Sequence, residues 1–510
     1  MTGAGLAGGP DLALLVGAVV VLVGVLAMRL ATRVGLPSLL IYLGFGVLIG
    51  EDVAGVRFDN PELARLLAMW ALALILAEGG LTTRWSTVRG SVPLALVIST
   101  VGVAVSTAVT GALTVALLDV DWRTGLLLGA VVSSTDAAAV FATLRRLTLR
   151  RRLMAVLELE SGFNDAPAVL LVALLASDAA LDRPGSVLGA VGLVGYEFVV
   201  GAAIGTAIGW LGSVLLRRVA LPLAGLYPLA TVALAVIGYA VAALAHGSGF
   251  LAVYLAGLIL GNARLPHRHA TLGFAEGVAW LAQIGLFVLL GLLATPHRLA
   301  AAVFPAVVIG GGLLLLARPA SVIVSTVWFR IPWREQAFLS WAGLRGAVPI
   351  VLATIPDTIR LPGGSRVFDV VLVLVAVFTL AQGASLPVVA RLLQVVDDDQ
   401  TRDVDVESAP LAELDADLLQ LRITARSRLH GVYVDELQLP PGAALSLVVR
   451  AGRSIVPELQ TRLVRGDQLL VVATARSRDA AERRLRSIST HGRLAAWLGG
   501  TGDGTRGRSA

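Results

Sequence analysis

Five ionisable residues stand in stretches of sequence that are otherwise apolar. Asp136 lies in SSTDAAAVFATL, Glu160 and Asp165 in ELESGFNDAPAVLL, Arg345 in WAGLRGAVPI, and Glu78 near the end of a further apolar block. A charge at bilayer depth costs roughly 2.5–3.5 kcal/mol on insertion scales unless it is paired or wetted, so each of these is a functional residue by default. On a helix Ser161 and Asp165 are four apart, as are Glu160 and Asn164, and the two pairs form adjacent stripes. A hydroxyl, an amide and a carboxylate then converge within about one helical turn, a set of oxygens suited to a hard monovalent cation. Burial disfavours a bare carboxylate, so Asp165 can hold a proton or a cation, and poorly both. If only its charge-compensated forms pass between the two faces of a membrane, exchange is obligatory and needs no separate gate.

The sequence around these residues resists a continuous helix. Ser133-Ser134-Thr135-Asp136 is a polar run inside an apolar span, and Gly343-Leu344-Arg345-Gly346 with Pro349 marks a second. Each predicts an interrupted helix whose freed backbone groups line a cavity. One such segment in each half of a chain points to an inverted-repeat transporter with its site at the midplane. Pro167, two residues after Asp165, predicts a local loss of backbone pairing. More modest roles stand beside these. Asp136 also suits a helix cap, and Glu160 reads equally as an ion funnel or an ion-pair partner. Arg345 reads as structural, because a buried guanidinium needs a partner. Glu78 and Glu158 read as funnel or interfacial residues. The histidines sit at loops or span ends and suggest no metal site.

The elements that must position these groups are membrane spans. Of the 510 residues 56% are hydrophobic and only 15% charged, against a norm of about 25% charged. The apolar excess is packed into blocks between residues 11 and 393, long enough to cross a hydrocarbon core. Thirteen spans are predicted, at 12–30, 36–50, 62–81, 92–118, 122–143, 153–176, 187–216, 223–245, 249–262, 272–294, 300–327, 335–355 and 367–393, the second and ninth being short. With the C-terminus in the cytoplasm, the inner loops carry the arginines, among them Arg84, Arg89, the Arg145–Arg152 cluster, Arg217, Arg218, Arg330 and Arg334. The outer loops carry Glu51, Asp52, Asp59, Asp119, Asp121, Asp178, Asp182 and Asp357. This is the positive-inside bias, and it predicts a multi-pass protein of the plasma (inner) membrane with its N-terminus outside. The net charge of +6 follows from these flanking arginines, so a nucleic-acid partner is excluded. With no cysteine, disulfides and thiolate metal sites are excluded as well.

The character changes after Arg391. Residues 1–396 are expected to form the transmembrane domain, 397–417 an acidic solvated linker, 418–490 a small α/β module and 491–510 a disordered tail. Leu418–Thr424, Ala444–Arg450 and Gly466–Ala473 are strand-like, separated by Pro440-Pro441-Gly442 and Ala451-Gly452 turns, and Asp479–Ile488 is helix-like.

Taken together, STDAAAV, ESGFNDAPAVLL and GLRGAVPI resemble the monovalent cation:proton antiporter family in its electroneutral branch, over roughly residues 12–393. The resemblance implies an all-α polytopic fold of about 13 transmembrane helices with inverted repeats, two interrupted crossing helices and a homodimer. It implies Asp165 as the ion- and proton-carrying carboxylate with Asn164 as its partner. Ser161 and Thr135 would supply oxygens, Asp136 and Glu160 would act nearby, and Arg345 would form a structural ion pair with Glu160. Asn164 stands where the electrogenic branch has a second aspartate, which implies one-for-one exchange. The transported K+ or Na+ is the only metal implied, and no cofactor. The segment from about Leu418 to Ala475 resembles a TrkA-C-type domain, similar to tails on potassium/proton antiporters, where a regulatory small ligand of unknown identity would act. This tilts the choice of cation to potassium.

Two other classes are disfavoured by residues. A tail-gated potassium channel needs a filter such as TVGYG, and Thr100-Val101-Gly102-Val103-Ala104 lacks the aromatic. An intramembrane hydrolase, and with it any enzyme reading, lacks a histidine beside Ser161 or an HExxH motif. Removal of residues 397–510 is expected to alter the pH or ligand response of exchange and to leave exchange itself intact, measured in reconstituted vesicles.

Overall fold

The computed structural model describes residues 9–34, 37–50, 55, 61–144, 147, 149–176, 186–358, 364–396, 404–411, 416–424, 427–474 and 477–492. Among the positions singled out above, Glu51, Asp52, Asp59, Arg145, Arg146, Asp178, Asp182, the first part of the acidic stretch and the tail beyond 492 lie outside the described residues. The chain divides into two compact units, Met1–Val396 and Asp397–Ala510.

In the first unit the apolar blocks form helices, because every backbone polar group in hydrocarbon must find its partner within the protein. They are α1 (Gly9–Val34), α2 (Ser38–Ile49), α3 (Pro61–Thr82), α4 (Trp85–Leu118), α5 (Trp122–Val131), α6 (Ala137–Thr143), α7 (Arg151–Ala176) and α8 (Ser186–Arg218). There follow α9 (Leu226–Leu244), α10 (Gly249–Asn262), α11 (Arg268–Leu292), α12 (Pro296–Phe329), α13 (Trp333–Trp341), α14 (Ala347–Thr358) and α15 (Gly364–Leu392). With α5 and α6 joined as one interrupted segment and α13 and α14 as another, the described helices make thirteen successive segments, as the sequence predicts. Among the described residues eight helices are long and apolar enough to cross a membrane, and the second and ninth segments are the short ones expected.

The distribution of side chains is that of a protein in lipid. Leu14, Leu244, Phe304 and Trp328 stand 71–82% exposed on the outer surface, where water would oppose them. The interior is largely apolar but also encloses polar groups, among them Glu160, Asn164, Asp165, Arg318 and Arg345, all under 5% exposed. Helix α7, which carries Asp165, is the most enclosed of the eight, with 72% of its apolar window buried. It runs through Pro167 without a break, so the expected disturbance of pairing there does not interrupt the helix. The unbroken helices α4 and α12 each contain a π-turn, at Ile98–Gly102 and Leu313–Ala317, and both lie beside the site described below.

The second unit is a five-stranded antiparallel sheet of order β1-β2-β5-β3-β4, comprising β1 (Val404–Leu411), β2 (Ala416–Ile423), β3 (Ala443–Arg450), β4 (Arg453–Ile455) and β5 (Gln468–Thr474). Leu419, Leu421, Leu469 and Val471 alternate with less buried neighbours along β2 and β5, the period-2 pattern of a sheet with one covered face. Leu485 and Ile488 of α16 (Arg478–His491) belong to the same core. Residues 404–411, expected within a solvated linker, are instead β1, paired along its length with β2. Acidic content suggested solvation, but the free edge of β2 offers a row of backbone donors and acceptors that a neighbouring strand satisfies.

Asp467 is the fixed point of this unit. It is fully buried and accepts from Arg450 Nε at 2.9 Å, Arg450 Nη2 at 2.8 Å and the Val464 N–H at 2.8 Å. Replacing Asp467 by Ala is expected to destabilise the unit by about 2–3 kcal/mol, from lost hydrogen bonds to a charged group, read as earlier proteolytic cleavage of the tail in the intact protein.

Candidate functional site

The two interrupted segments meet at their breaks. The first stops at Val131 and resumes at Ala137, the second stops at Trp341 and resumes at Ala347. The Asp136 N–H donates to Leu344 O at 2.9 Å. Arg345 Nε donates to Val132 O at 2.7 Å, Arg345 Nη1 to Gly343 O at 2.5 Å, and Thr379 Oγ1 to Arg345 O at 2.9 Å. Each break thus helps satisfy backbone groups that the other leaves open, the condition for non-helical chain at membrane depth. The approach is close enough to require glycine: a Cβ on Gly346 would lie 2.1 Å from Asp136 Oδ2.

Helix α7 passes beside this crossing. Ser134 Oγ donates to Asp165 Oδ1 at 2.5 Å. Asn164 Nδ2 donates to Thr135 Oγ1 at 2.7 Å, and Thr135 Oγ1 lies 3.3 Å from Glu160 Oε1 as its donor. Asp136 caps α6, its Oδ1 accepting the Ala139 N–H at 3.2 Å, so the capping role holds while the residue also lines the cavity. That cavity, of about 260 Å³, brings together Ser134, Thr135, Asp136, Ser161 and Asp165. It extends from the buried Asp165 to Glu78, Glu158 and the exposed Thr82 at the end of α3. Asn164 and Glu160 stand one layer behind. Among the described residues Asn164 Oδ1 and Glu160 Oε2 are buried acceptors without a hydrogen-bond donor. This arrangement can hold one small cation or one proton on Asp165 among hydroxyl and carboxylate oxygens.

The expected ion pair differs in its partner. Glu160 Oε1 lies 2.6 Å from Arg318 Nη2, both groups buried; among the described residues no salt bridge joins Glu160 to Arg345, which it still attracts electrostatically. The reason is that the carbonyls freed by the two breaks already engage the Arg345 fork. The two guanidinium groups nonetheless lie close, since a Cβ on Gly343 would meet Arg318 Nε at 2.7 Å and Arg345 Nη1 at 3.0 Å. Arg318 follows directly on the π-turn of α12, and the π-turn of α4 packs opposite, with Ser99 Oγ donating to Glu160 O at 3.2 Å and Ser321 Oγ to Gly102 O at 2.8 Å. Sequence reasoning missed Arg318 and the role of Ser134. Arg318 carries the same signal as Arg345, a charge deep inside an apolar run. Ser134 lay within the polar run already noted, and only the packing of α7 picks it out.

Arg318→Ala would leave Glu160 as a buried charge without its counter-ion, and such losses cost about 3–5 kcal/mol. The expected result is a marked fall in thermal stability in detergent. The double variant Arg318→Ala/Glu160→Ala is expected to be less destabilised than the sum of the two single variants.

Comparison with known proteins bears on the fold and the family. Residues 18–392 match the family model described as sodium/hydrogen exchanger, transmembrane, and residues 418–486 match the TrkA-C domain. The chain is 39% identical over 472 residues to the K(+)/H(+) antiporter NhaP2 of Shewanella baltica, covering 91% of this chain and 81% of that protein. It is 41% identical over 408 residues to the K(+)/H(+) antiporter NhaP of Alkalimonas amylolytica, covering 78% and 69% respectively. The solved structure of the sodium proton antiporter MjNhaP1 from Methanocaldococcus jannaschii superposes with a TM-score of 0.62 at 18% identity, over 75% of this chain and 99% of that one, and so shares its fold. By the match over most of its length, this chain belongs to the family of transmembrane sodium/hydrogen exchangers.

Proposed function

We propose that the protein exchanges cytoplasmic potassium for protons, one for one, by competition of the two ions for Asp165. The observation that carries this reading is a single buried carboxylate on the cavity, held by Ser134 and flanked by Asn164 in place of a second acid. Glu160 is already compensated by Arg318, so Asp165 is the buried site charge for either passenger to neutralise, with the less buried Asp136 beside it. Ser161 and Thr135 supply further oxygens, with Asp136 at the crossing. A bare Asp165 is the costly form in these surroundings, so passage between the two faces is reserved for the loaded forms. The choice of potassium rests on the relatives named K(+)/H(+) antiporters, at 39% and 41% identity.

Sodium is the second reading, favoured by a weaker likeness, 26% over 425 residues, to the Na(+)/H(+) antiporter NhaS2 of a Synechocystis species. The arginine bias of the loops supports an N-terminus outside, with the C-terminal unit in the cytoplasm. Residues 1–396 are the transport unit and 418–490 a regulatory one, and the working assembly is a homodimer in the plasma membrane. Its role is potassium and pH homeostasis.

In inside-out vesicles, adding KCl is expected to collapse an imposed pH gradient, and Asp165→Asn is expected to abolish the collapse without loss of folded protein. Asp136→Asn is expected to reduce it strongly. Collapse with NaCl alone would keep the mechanism and change the cation. Full activity of Asp165→Asn would remove the single-carboxylate mechanism.

A further inference from the structure

The chain that leaves the transport unit is tied back to it on the way out. Helix α15 ends in a left-handed turn at Gln394, with φ +56°. There the Gln394 N–H donates to Arg391 O at 3.0 Å and the Val395 N–H to Ala390 O at 3.1 Å, the paired bonds of a Schellman ending. Glycine is the easier residue in such a turn, but the glutamine side chain is in use: its Oε1 accepts from Arg334 of α13. Val395 is then fully buried. Val396 forms an antiparallel bridge with Leu149, itself 1% exposed, in the loop between α6 and α7.

Arg150 gathers these ends. Its N–H donates to Val395 O at 3.2 Å, and its carbonyl accepts the Met154 N–H at 3.2 Å, the first backbone bond of α7. Its guanidinium donates from Nη2 to Gln394 O at 3.1 Å and from Nη1 to Glu335 Oε1 at 3.2 Å. Glu335, in the first turn of α13, is 6% exposed and forms its salt bridge there. One residue thus touches the start of the Asp165 helix, the start of the second interrupted segment and the end of α15. Arginine suits the place, because its planar fork holds two acceptors in fixed geometry and a lysine ammonium does not. The positive-inside bias asks only for a charge at this end of the helices, and not for these contacts.

We propose that Arg150 is a positioning residue for exchange, which fastens these ends of α7, α13 and α15 into one body. At the ion site the same segments are already tied, by Asp136 to Leu344, Arg345 to Val132 and Ser134 to Asp165. Arg150 and Asp165 are fifteen residues apart, about 22 Å along α7, so Arg150 is a second tie at the far end. A helix held at one point pivots about it; held at both, it carries its neighbours along. Passage of Asp165 between the two faces keeps the crossing bonds only if these helices travel together. Arg150 therefore bears on how fast the loaded site passes and, touching neither ion, leaves their binding alone. The inference rests on cation/proton exchange by this chain, which activity of the parent protein establishes separately.

The chain has no cysteine, so the joint can be locked and released by a single engineered pair. Leu149 and Val396 face each other across the antiparallel bridge, where Cα atoms stand about 4.5–5.5 Å apart, within disulfide range. The test is potassium-driven proton flux in proteoliposomes of the full chain carrying Leu149→Cys/Val396→Cys, with and without Arg150→Ala. Under reductant, Arg150→Ala is expected to lower kcat by about fivefold, the worth of one ordinary hydrogen bond, with the KM for potassium within about twofold of the parent. Oxidation of the same vesicles is expected to return kcat to within about twofold of the parent, a reversal that loss of folded protein would not show. With Arg150 present, oxidation is expected to leave the rate unchanged. An unmoved Arg150→Ala rate, an effect confined to KM, a fall that oxidation leaves in place, or cysteines that do not cross-link would overturn the joint. So would arrest of exchange by the disulfide with Arg150 present, which would mean that these ends part during the cycle. If Arg150→Ala fails to insert, Arg150→Lys, which keeps the charge without the fork, decides by the same criteria. An active parent with unmoved variants counts against the joint and leaves the exchange reading standing.

Discussion

Two helices broken inside hydrocarbon are tolerable only if their open backbone groups find partners within the protein, and this constraint organises the transport unit. The partners are largely supplied by the breaks themselves. Asp136 N–H reaches Leu344 O, and the Arg345 fork takes up Val132 O and Gly343 O. Leaving such groups unpaired in an apolar medium costs several kcal/mol each, so neither break is tenable without the other. The crossing in turn places Ser134, Thr135 and Asp136 at one point, since all three belong to the chain that is forced out of helix there.

The second constraint is electrostatic. In a low-dielectric interior an uncompensated charge is the most expensive thing a fold can hold. Glu160 forms its salt bridge with Arg318 and also attracts Arg345, whose fork donates to carbonyl oxygens. Asp165, 4% exposed, has a serine hydroxyl and an amide neighbour but no basic side chain in a salt bridge among the described residues. The π-turns of α4 and α12 lie beside the Glu160–Arg318 pair, where Ser99 and Ser321 donate to main-chain carbonyls.

The cavity couples these features to the helices around them. It joins a buried carboxylate to a mouth where α3, α7 and α10 are cross-linked by Thr83, Glu158, Tyr254 and Asn262. Helix α7 contributes to both ends.

The sequence by itself determined the membrane class, the thirteen segments, the two interruptions and the carboxylates within apolar spans. These follow from local rules: apolar length fixes spans, polar runs and glycines break helices, and a charge in an apolar run stands out wherever it occurs. The strands of the C-terminal unit around Leu419, Val448 and Val471 were legible for the same reason, as period-2 alternation. What the tertiary structure decided was partnership. Glu160 pairs with Arg318 and not Arg345, Ser134 and not Ser161 bonds Asp165, and residues 404–411 form a strand where charge suggested a linker. In each case the local chain offers several acceptors or donors of equal chemistry, and only the approach of a distant segment selects among them.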